Sequence, residues 1–320
     1  MKTLVVAAGI VAGLAFGAPA MAQTKPTVAI VVKDTTLPYW QTVLAGARKA
    51  GQDLDINVFE LGIQSESDAN GQIGLLERAV ASNPAAIVIA PAQFAALGKP
   101  IDEAAKKVKI IGIESAADTK AMTSLLATDN VKAGRIAADA LAAAITKTYG
   151  DTEGNVVIIT AMPGVAFLDQ RAKGFKEVLA AKYRALDIVA DKVADGTRAT
   201  ALNIMKDLIG NTADLRGVFV SDPIMTQAVG QAVAESKSGD KINVVGVGSG
   251  ERLIQLLKDD VLAGLVVEDP FRMGYDGVKT ALAASKGAQV PATVDTGATL
   301  ITKANLSSPR SQELLNPKVK

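Results

Sequence analysis

The side chains best suited to bind a small polar molecule come directly after apolar segments of the sequence, not inside them. Carboxylates accept charge-assisted hydrogen bonds, ammonium and guanidinium groups donate them, and aromatic rings offer a flat apolar surface. Such a combination would suit a molecule that has an apolar face and a polar rim. The candidate binding residues are Lys33, Asp34, Tyr39, Trp40, Glu114, Arg171, Asp222 and Glu268.

The chain contains neither histidine nor cysteine. The lack of histidine removes the commonest general base and the commonest metal ligand, and it excludes a Ser–His–Asp triad. The lack of cysteine excludes disulfides, thiolate nucleophiles and Fe–S sites. Binding without reaction needs neither residue, and we expect no metal site and no cofactor.

Each candidate also has a purely structural interpretation. Tyr39 and Trp40 are conspicuous in a chain with only 4% aromatic residues, but either ring could instead anchor the first helix in the core. Glu114 could be a solvated loop charge, and Arg171 could form a salt bridge on a helix surface. Asp222 could cap the helix that follows it.

Strand and helix patterns alternate along the chain at a spacing typical of parallel α/β sheets. Apolar, β-branched segments predict strands at 27–32, 56–60, 85–90, 109–113, 124–127, 155–160, 187–190, 217–220, 243–247 and 262–267. Helical periodicity predicts helices at 40–53, 67–82, 98–108, 131–148, 169–182, 199–209, 225–236, 250–259 and 271–285, and residues 290–305 look extended. About ten strands are too many for one comfortable open sheet. We expect two doubly wound lobes, with ligands at the carboxyl ends of the strands.

Residues 1–22 have the features of a secretory signal peptide. Lys2 is the charged part, residues 4–17 form the apolar part, and Ala20-Met21-Ala22 is a cleavage site. The mature chain should begin at Gln23, in a periplasm. Without Lys2 the basic and acidic residues are equal in number, and no basic segment suits phosphates, so nucleic acid is not an expected partner.

One glycine-rich segment resembles a nucleotide-binding motif only in part. Gly246-Val247-Gly248-Ser249-Gly250 follows a predicted strand and opens a helix, as a dinucleotide fingerprint does. The position three residues after Gly248 is Glu251 instead of glycine, and the segment comes late in the chain. We therefore do not expect nucleotide binding.

Eight segments resemble, in the same order, those of periplasmic sugar-binding proteins of the ribose, allose and galactose type. They are VAIVVKDTTLPYW, NPAAIVIAPA, IIGIES, TDNVKAGRIAADAL, DQRAKGF, GVFVSDPIM, INVVGVGSG and LAGLVVEDPFRMGYDGV, and they cover nearly all of residues 27–300. The resemblance implies two doubly wound lobes joined by a three-crossing hinge, with a sugar closed between them. It also implies delivery to an ABC permease in the inner membrane and no catalysis. We expect a monomer.

The resemblance assigns roles to the candidate residues. Tyr39 and Trp40 match a pair of aromatics that stacks on a sugar ring, and Lys33 and Asp34 lie just after the first strand. Arg171 matches an arginine that donates to ring and hydroxyl oxygens.

Several positions depart from the family pattern. Glu114 replaces the usual Asp, and Ser115 replaces an Arg. Asp222 stands where many members have Asn, and Glu268 stands where Gln or Asn is common. Gly248 falls where the family has Asp. These departures leave the identity of the sugar open.

The resemblance also places the hinge and the lobes. Crossings are expected near Thr128-Asp129, Glu268-Asp269 and Asp295-Thr296. The N-terminal lobe would then comprise residues 23–128 plus 269–295, and the C-terminal lobe residues 129–268 plus 296–320.

The three acids Glu114, Asp222 and Glu268 leave two classes of ligand open. We favour a neutral monosaccharide or polyol, whose hydroxyl groups the acids would bind. An amino sugar is the alternative, because an ammonium group would relieve repulsion between neighbouring carboxylates. A sensor that feeds a chemoreceptor and an exported glycosidase with two carboxylates are further alternatives.

Overall fold

The computed structural model describes residues 25–316, and the predicted signal peptide lies outside the described residues. The strands are β1 (Thr27–Val32), β2 (Asn57–Gly62), β3 (Ala86–Ile89), β4 (Lys109–Ile113), β5 (Ser124–Ala127), β6 (Gly154–Thr160), β7 (Leu186–Val193), β8 (Leu215–Val220), β9 (Asn243–Val247), β10 (Gly264–Glu268), β11 (Thr293–Asp295) and β12 (Ala298–Ile301). The helices are α1 (Pro38–Asp53), α2 (Ala69–Ala81), α3 (Phe94–Ala105), α4 (Asn130–Tyr149), α5 (Ala166–Lys182), α6 (Arg198–Asn211), α7 (Pro223–Glu235), α8 (Glu251–Lys258), α9 (Pro270–Ser285) and α10 (Pro309–Leu315).

Two six-stranded sheets form two α/β lobes, as the sequence predicted. The first sheet has the order β11-β5-β4-β3-β1-β2 and is parallel throughout. The second has the order β12-β10-β9-β8-β6-β7, in which β12 pairs antiparallel with β10. Both sheets are therefore parallel, as predicted, except at this one edge. No helix within residues 25–316 combines the length and apolarity needed to cross a bilayer.

Burial on both faces explains the continuous apolar strands. In β1, Val28, Ile30 and Val32 pack into the cluster that contains Trp40, whereas Ala29 and Val31 pack into the cluster on the opposite face. Side chains alternate across a strand, so a strand covered by helices on both faces must be apolar at every position. The polar residues that follow each strand are thereby confined to the carboxyl edge of the sheet.

The chain passes between the two sheets three times, after β5, after β10 and after β11. An aspartate stands at each passage. Asp295 accepts the backbone N–H of Asp129 at 3.1 Å and pairs with Lys132 of α4 at 3.0 Å. Asp269 pairs with Arg310 of α10 at 2.5 Å. Ion pairs and backbone hydrogen bonds therefore connect the passages to helices that pack on the second sheet.

Three predicted elements begin or end elsewhere. The helix α5 begins at Ala166, three residues before its predicted start at 169, and Leu168 is buried in its first turn. The helix α3 begins at Phe94 and continues through Pro100. The stretch 290–305 divides into β11 and β12, and α10 follows it. The helices α3 and α5 thus begin four and three residues earlier than local periodicity predicts.

Reciprocal glycines bring α4 and α5 into backbone contact. A Cβ atom on Gly134 would lie 2.0 Å from the carbonyl oxygen of Arg171, and one on Gly174 would lie 1.9 Å from that of Val131. Real Cβ atoms do not approach so closely, so only glycine permits this spacing. The two helices hold the Arg171 backbone at a fixed position.

The first lobe repeats this arrangement with α1 and α9. A Cβ atom on Gly46 would lie 1.9 Å from the carbonyl oxygen of Phe271, and one on Gly274 would lie 1.9 Å from that of Val43. The helix that begins with Tyr39 and Trp40 is therefore as tightly seated as the helix that carries Arg171.

We predict that Gly134→Ala destabilises the protein because the added methyl group separates α4 from α5. Overpacking of this kind typically costs about 1–3 kcal/mol. The matched control is Gly74→Ala in α2, where nothing lies within 4 Å of the added carbon. That change should raise the free energy of unfolding by about 0.5–1 kcal/mol, because alanine favours a helix interior. Urea unfolding measures both, and equal effects of the two substitutions would contradict the packing argument.

Candidate functional site

An ion pair occupies the carboxyl edge of the first sheet. Lys33 follows β1, Glu114 follows β4, and their side chains meet at 2.5 Å while remaining only 13% and 21% exposed. Glu114 has a φ of +63°, in the left-handed region that non-glycine residues rarely adopt. Strained backbone of this kind clusters at ligand-binding sites. The structure thus brings together two of the predicted binding residues.

The carboxylate of Asp34 stabilises the turn in which it lies. Its carboxylate accepts hydrogen bonds from the Thr36 hydroxyl at 2.6 Å and from the backbone N–H groups of Thr36 and Leu37. The Thr36 hydroxyl, followed by the Thr36 N–H, holds the pKa of Asp34 below its usual value. This carboxylate fixes the loop between β1 and α1 and so determines where Lys33 and the two aromatics lie.

The guanidinium of Arg171 bonds to groups at the carboxyl edge of the second sheet. It is 3% exposed. It donates from Nε to Asn130 at 2.8 Å and from Nη1 to the Ser221 carbonyl at 3.0 Å, and it pairs with Glu268 at 2.9 Å. Three separate segments therefore converge on one side chain. Guanidinium has five N–H donors, so one N–H on each terminal nitrogen remains for a ligand.

Asp222 combines a helix cap with an unpartnered oxygen. Its Oδ1 accepts from the N–H groups of Ile224 and Met225 and caps α7, which confirms the structural interpretation of this residue. Its Oδ2 and the Ser221 hydroxyl are buried without a hydrogen-bond partner among the described residues. Burial raises the pKa of the Asp222 carboxyl above its usual value. A buried acceptor without a partner favours a ligand that donates to it.

Tyr39 and Trp40 occupy different environments. Trp40 is 1% exposed, packs in the core of the first lobe and donates its indole N–H to Glu66 at 2.6 Å. Tyr39 is half-buried and meets the Trp40 ring edge to face, with centroids 5.0 Å apart. Burial of the Tyr39 phenol, followed by the charges of Glu268 and Glu114, raises its pKa well above the usual value. Groups from the edges of both sheets thus act on this one hydroxyl.

Phe167 is a further candidate for the site that the sequence analysis did not predict. It lies in the first turn of α5, remains 37% exposed, and its ring lies 5.0 Å from the Arg171 guanidinium. The spacing of four residues between Phe167 and Arg171 places both on one helix face. This signal was hidden because the helix was expected to begin only at residue 169.

Two of the three acids of the site are paired with a cation. Lys33 neutralises Glu114, and Arg171 neutralises Glu268. Asp222 remains as the acid without a cationic partner, and its pKa is raised. Over residues 25–316 no group of three or more acidic side chains is arranged to hold a metal ion.

Comparison with known proteins defines the class of this fold and site. Residues 28–289 match the model of the periplasmic binding protein domain family, so the chain belongs to that family. The ribose import binding protein of Haemophilus influenzae is 25% identical over 92% of this chain and 96% of its own length. The D-allose-binding periplasmic protein of Escherichia coli is 25% identical over 88% of this chain and 91% of its own length.

A solved structure defines the group more narrowly. A carbohydrate transporter solute-binding protein from Agrobacterium radiobacter, determined in complex with D-arabinose, is 59% identical. It superposes with a TM-score of 0.80 over 92% of this chain and 100% of its own. The protein described here is therefore a sugar-binding solute-binding protein of an ABC transporter, as the sequence resemblance predicted. Members of this family bind sugars for transport.

We predict that Asp222→Asn stabilises the ligand-free protein at neutral pH. A carboxyl whose folded pKa is raised contributes its stability fully below its unfolded pKa, about 3.9, and loses it as the pH rises through the folded pKa. Asparagine caps helices about as well as aspartate and does not titrate. Urea unfolding at pH 7 should therefore show a gain that disappears near pH 4.

The control for this prediction is Asp195→Asn. Hydrogen bonds, first from the Thr197 hydroxyl, lower the pKa of Asp195, so its stabilising contribution is present at neutral pH and is lost as the pH falls through its folded pKa. Asp195→Asn should therefore destabilise at pH 7, with the opposite sign to Asp222→Asn. A loss of stability at pH 7 in both variants would refute the assignment for Asp222.

Proposed function

We propose that this protein is the periplasmic receptor of an ABC importer for a neutral pentose, with D-arabinose as the first candidate ligand. The observation that carries the proposal is the 59% identity to a solute-binding protein determined with D-arabinose. Related solute-binding proteins at 29% and 26% identity were determined with D-fucose and with α-D-tagatopyranose. All three ligands are neutral monosaccharides.

The charge balance of the site supports a neutral ligand. Each cation already has a carboxylate partner, so a neutral sugar can bind without leaving Lys33 or Arg171 unpaired in the closed cleft. An ammonium group would have to compete with Lys33 for Glu114 or with Arg171 for Glu268, unless it paired with Asp222, the one acid of the three without a cationic partner. The amino-sugar alternative was motivated by repulsion between carboxylates, and these ion pairs remove most of that motive.

The proposed contacts use the N–H donors, the acceptor oxygen and the apolar ring surfaces that these side chains retain for a ligand. Lys33 and Arg171 retain N–H donors for hydroxyl oxygens, and the unpartnered Asp222 oxygen can accept from a hydroxyl. Tyr39 and Phe167 supply apolar surface on opposite lobes for the faces of the sugar ring. In this proposal Trp40 supports Tyr39 from the core, and Asp34 supports the loop that carries Lys33.

The proposal also covers export, oligomeric state, the bounds of the two lobes and the partner proteins. Residues 1–22 direct export, and the mature chain from Gln23 acts as a monomer that delivers its sugar to the permease and performs no catalysis. The two lobes, residues 23–128 plus 269–295 and 129–268 plus 296–320, move about the passages near residues 128, 268 and 295. A chemoreceptor as a second partner is compatible with the same closed form.

The sugar assignment is tested by calorimetry on the mature chain with D-arabinose, L-arabinose, D-ribose, D-galactose and D-glucosamine. We expect D-arabinose to bind most tightly and to be recovered unchanged. Stronger binding of D-glucosamine would overturn the neutral-ligand assignment. Turnover of an aryl glycoside of the same sugar would favour the glycosidase alternative.

We predict that Arg171→Lys lowers sugar affinity at least tenfold. Lysine cannot reproduce the planar set of donors that bonds Asn130, the Ser221 carbonyl and Glu268 together. The matched control is Arg135→Lys, which changes an exposed pair with Glu177 on the outer surface. The control should bind as the wild type does, and equal affinity of both variants would remove Arg171 from the proposed site.

We predict that sugar binding compacts the protein through hinge closure. Small-angle scattering should give a smaller radius of gyration at saturating sugar than without sugar. An unchanged radius, with binding verified calorimetrically in the same sample, would contradict closure while leaving the sugar assignment intact.

A further inference from the structure

The indole N–H of Trp40 has an acceptor from a distant loop. Trp40 is 1% exposed, and its Nε1–H donates to a carboxylate oxygen of Glu66 at 2.6 Å. Glu66 lies in the connection between β2 and α2, at the carboxyl edge of the first sheet. A buried indole N–H needs a partner, and a charged acceptor gives a shorter and stronger bond than a neutral one.

The loop that carries Glu66 is fixed at both ends. At its start, the Ile63 carbonyl accepts the backbone N–H of Thr35 at 3.0 Å, which links it to the loop of Lys33. At its end, Asp68 caps α2 by accepting the N–H of Gly71 at 2.8 Å. The carboxylate of Glu66 is therefore presented to Trp40 from a defined backbone.

Trp40 in turn touches two residues of the proposed site. Its ring meets Tyr39 at 5.0 Å with an interplanar angle of 81°, and the Lys33 ammonium lies 5.7 Å from its centroid. Rotation of the indole would displace the surface against which Tyr39 rests and the face over which Lys33 lies. The Glu66 bond selects one orientation of the ring.

We propose that Glu66 is a positioning residue for sugar binding. It acts through Trp40, whose fixed indole sets the place of Tyr39 and Lys33 at the cleft. The proposal rests on the proposed sugar-binding function of this site and extends it to a residue with no direct contact to the sugar.

The test compares Glu66→Ala with Glu66→Gln, because glutamine retains an oxygen that can accept the indole N–H. Glu66→Ala should weaken D-arabinose binding at least fivefold, whereas Glu66→Gln should remain within twofold of the wild type. The control is Glu77→Ala, an exposed glutamate of α2 with no ion pair among the described residues.

Trp40 is the only tryptophan, so its fluorescence emission reports the bond directly. The emission should shift in Glu66→Ala and stay near the wild-type wavelength in the other two variants.

A double-mutant cycle with Trp40→Phe separates positioning from a general loss of stability. Phenylalanine keeps an aromatic ring and removes the N–H, so Glu66→Ala should have no further effect on affinity in that background. Independent, additive losses would overturn the proposal, as would wild-type affinity in Glu66→Ala. If the wild type binds none of the five sugars, the proposed function fails and the positioning role fails with it. Normal wild-type binding with an indifferent Glu66→Ala overturns the positioning role alone.

Discussion

The requirement to satisfy a buried guanidinium organises the cleft. Arg171 is 3% exposed, and a charge taken out of water costs several kcal/mol unless partners surround it. Its partners are Asn130 at the start of α4, the Ser221 carbonyl after β8 and Glu268 at the end of β10. Asn130 and Glu268 directly adjoin two of the passages between the sheets. The proposed ligand site and the proposed hinge thus share the same interactions, so a structural change at one should alter the other.

Close helix packing makes that arrangement geometrically possible. Gly134 allows α4 to touch the backbone of Arg171 itself, and Gly274 allows α9 to touch the backbone of α1. Each lobe therefore seats one site-bearing helix against a partner at a spacing that a single methyl group would prevent. Binding residues that stand on such helices lose little freedom when a ligand arrives, which limits the entropic cost of ordering them.

The sequence predicted the fold well because strands buried on both faces must be apolar, and this leaves polar residues only at their ends. That logic predicted Arg171, Asp222 and Glu268 as candidate site residues.

Contacts between distant loops could not be predicted in this way. The indole N–H of Trp40 donates to Glu66, which comes twenty-six positions later, and the Lys33–Glu114 pair joins residues eighty-one positions apart. Phe167 was missed because tertiary packing of Leu168 starts α5 earlier than local periodicity suggests. The bonds of Asp34 to Thr36 and Leu37, which serve the turn, were not predicted, and its contact with a ligand stays a prediction.

The acids that distinguish this cleft can be understood as partners of its cations instead of as repelling charges. Glu114 holds Lys33 in place, and Glu268 holds Arg171 in place. The remaining N–H groups of both cations therefore point in fixed directions. A hydroxyl group both donates and accepts, so a sugar can take these N–H donors and also donate to the unpartnered oxygen of Asp222 without disturbing either ion pair. An ammonium group only donates, so it cannot accept from Lys33 or Arg171, and Asp222 is the one acid of the three that it could reach without breaking an ion pair. In the proposed function the paired charges therefore favour neutral polyhydroxylated molecules, even though the residue types alone suggest an acidic pocket.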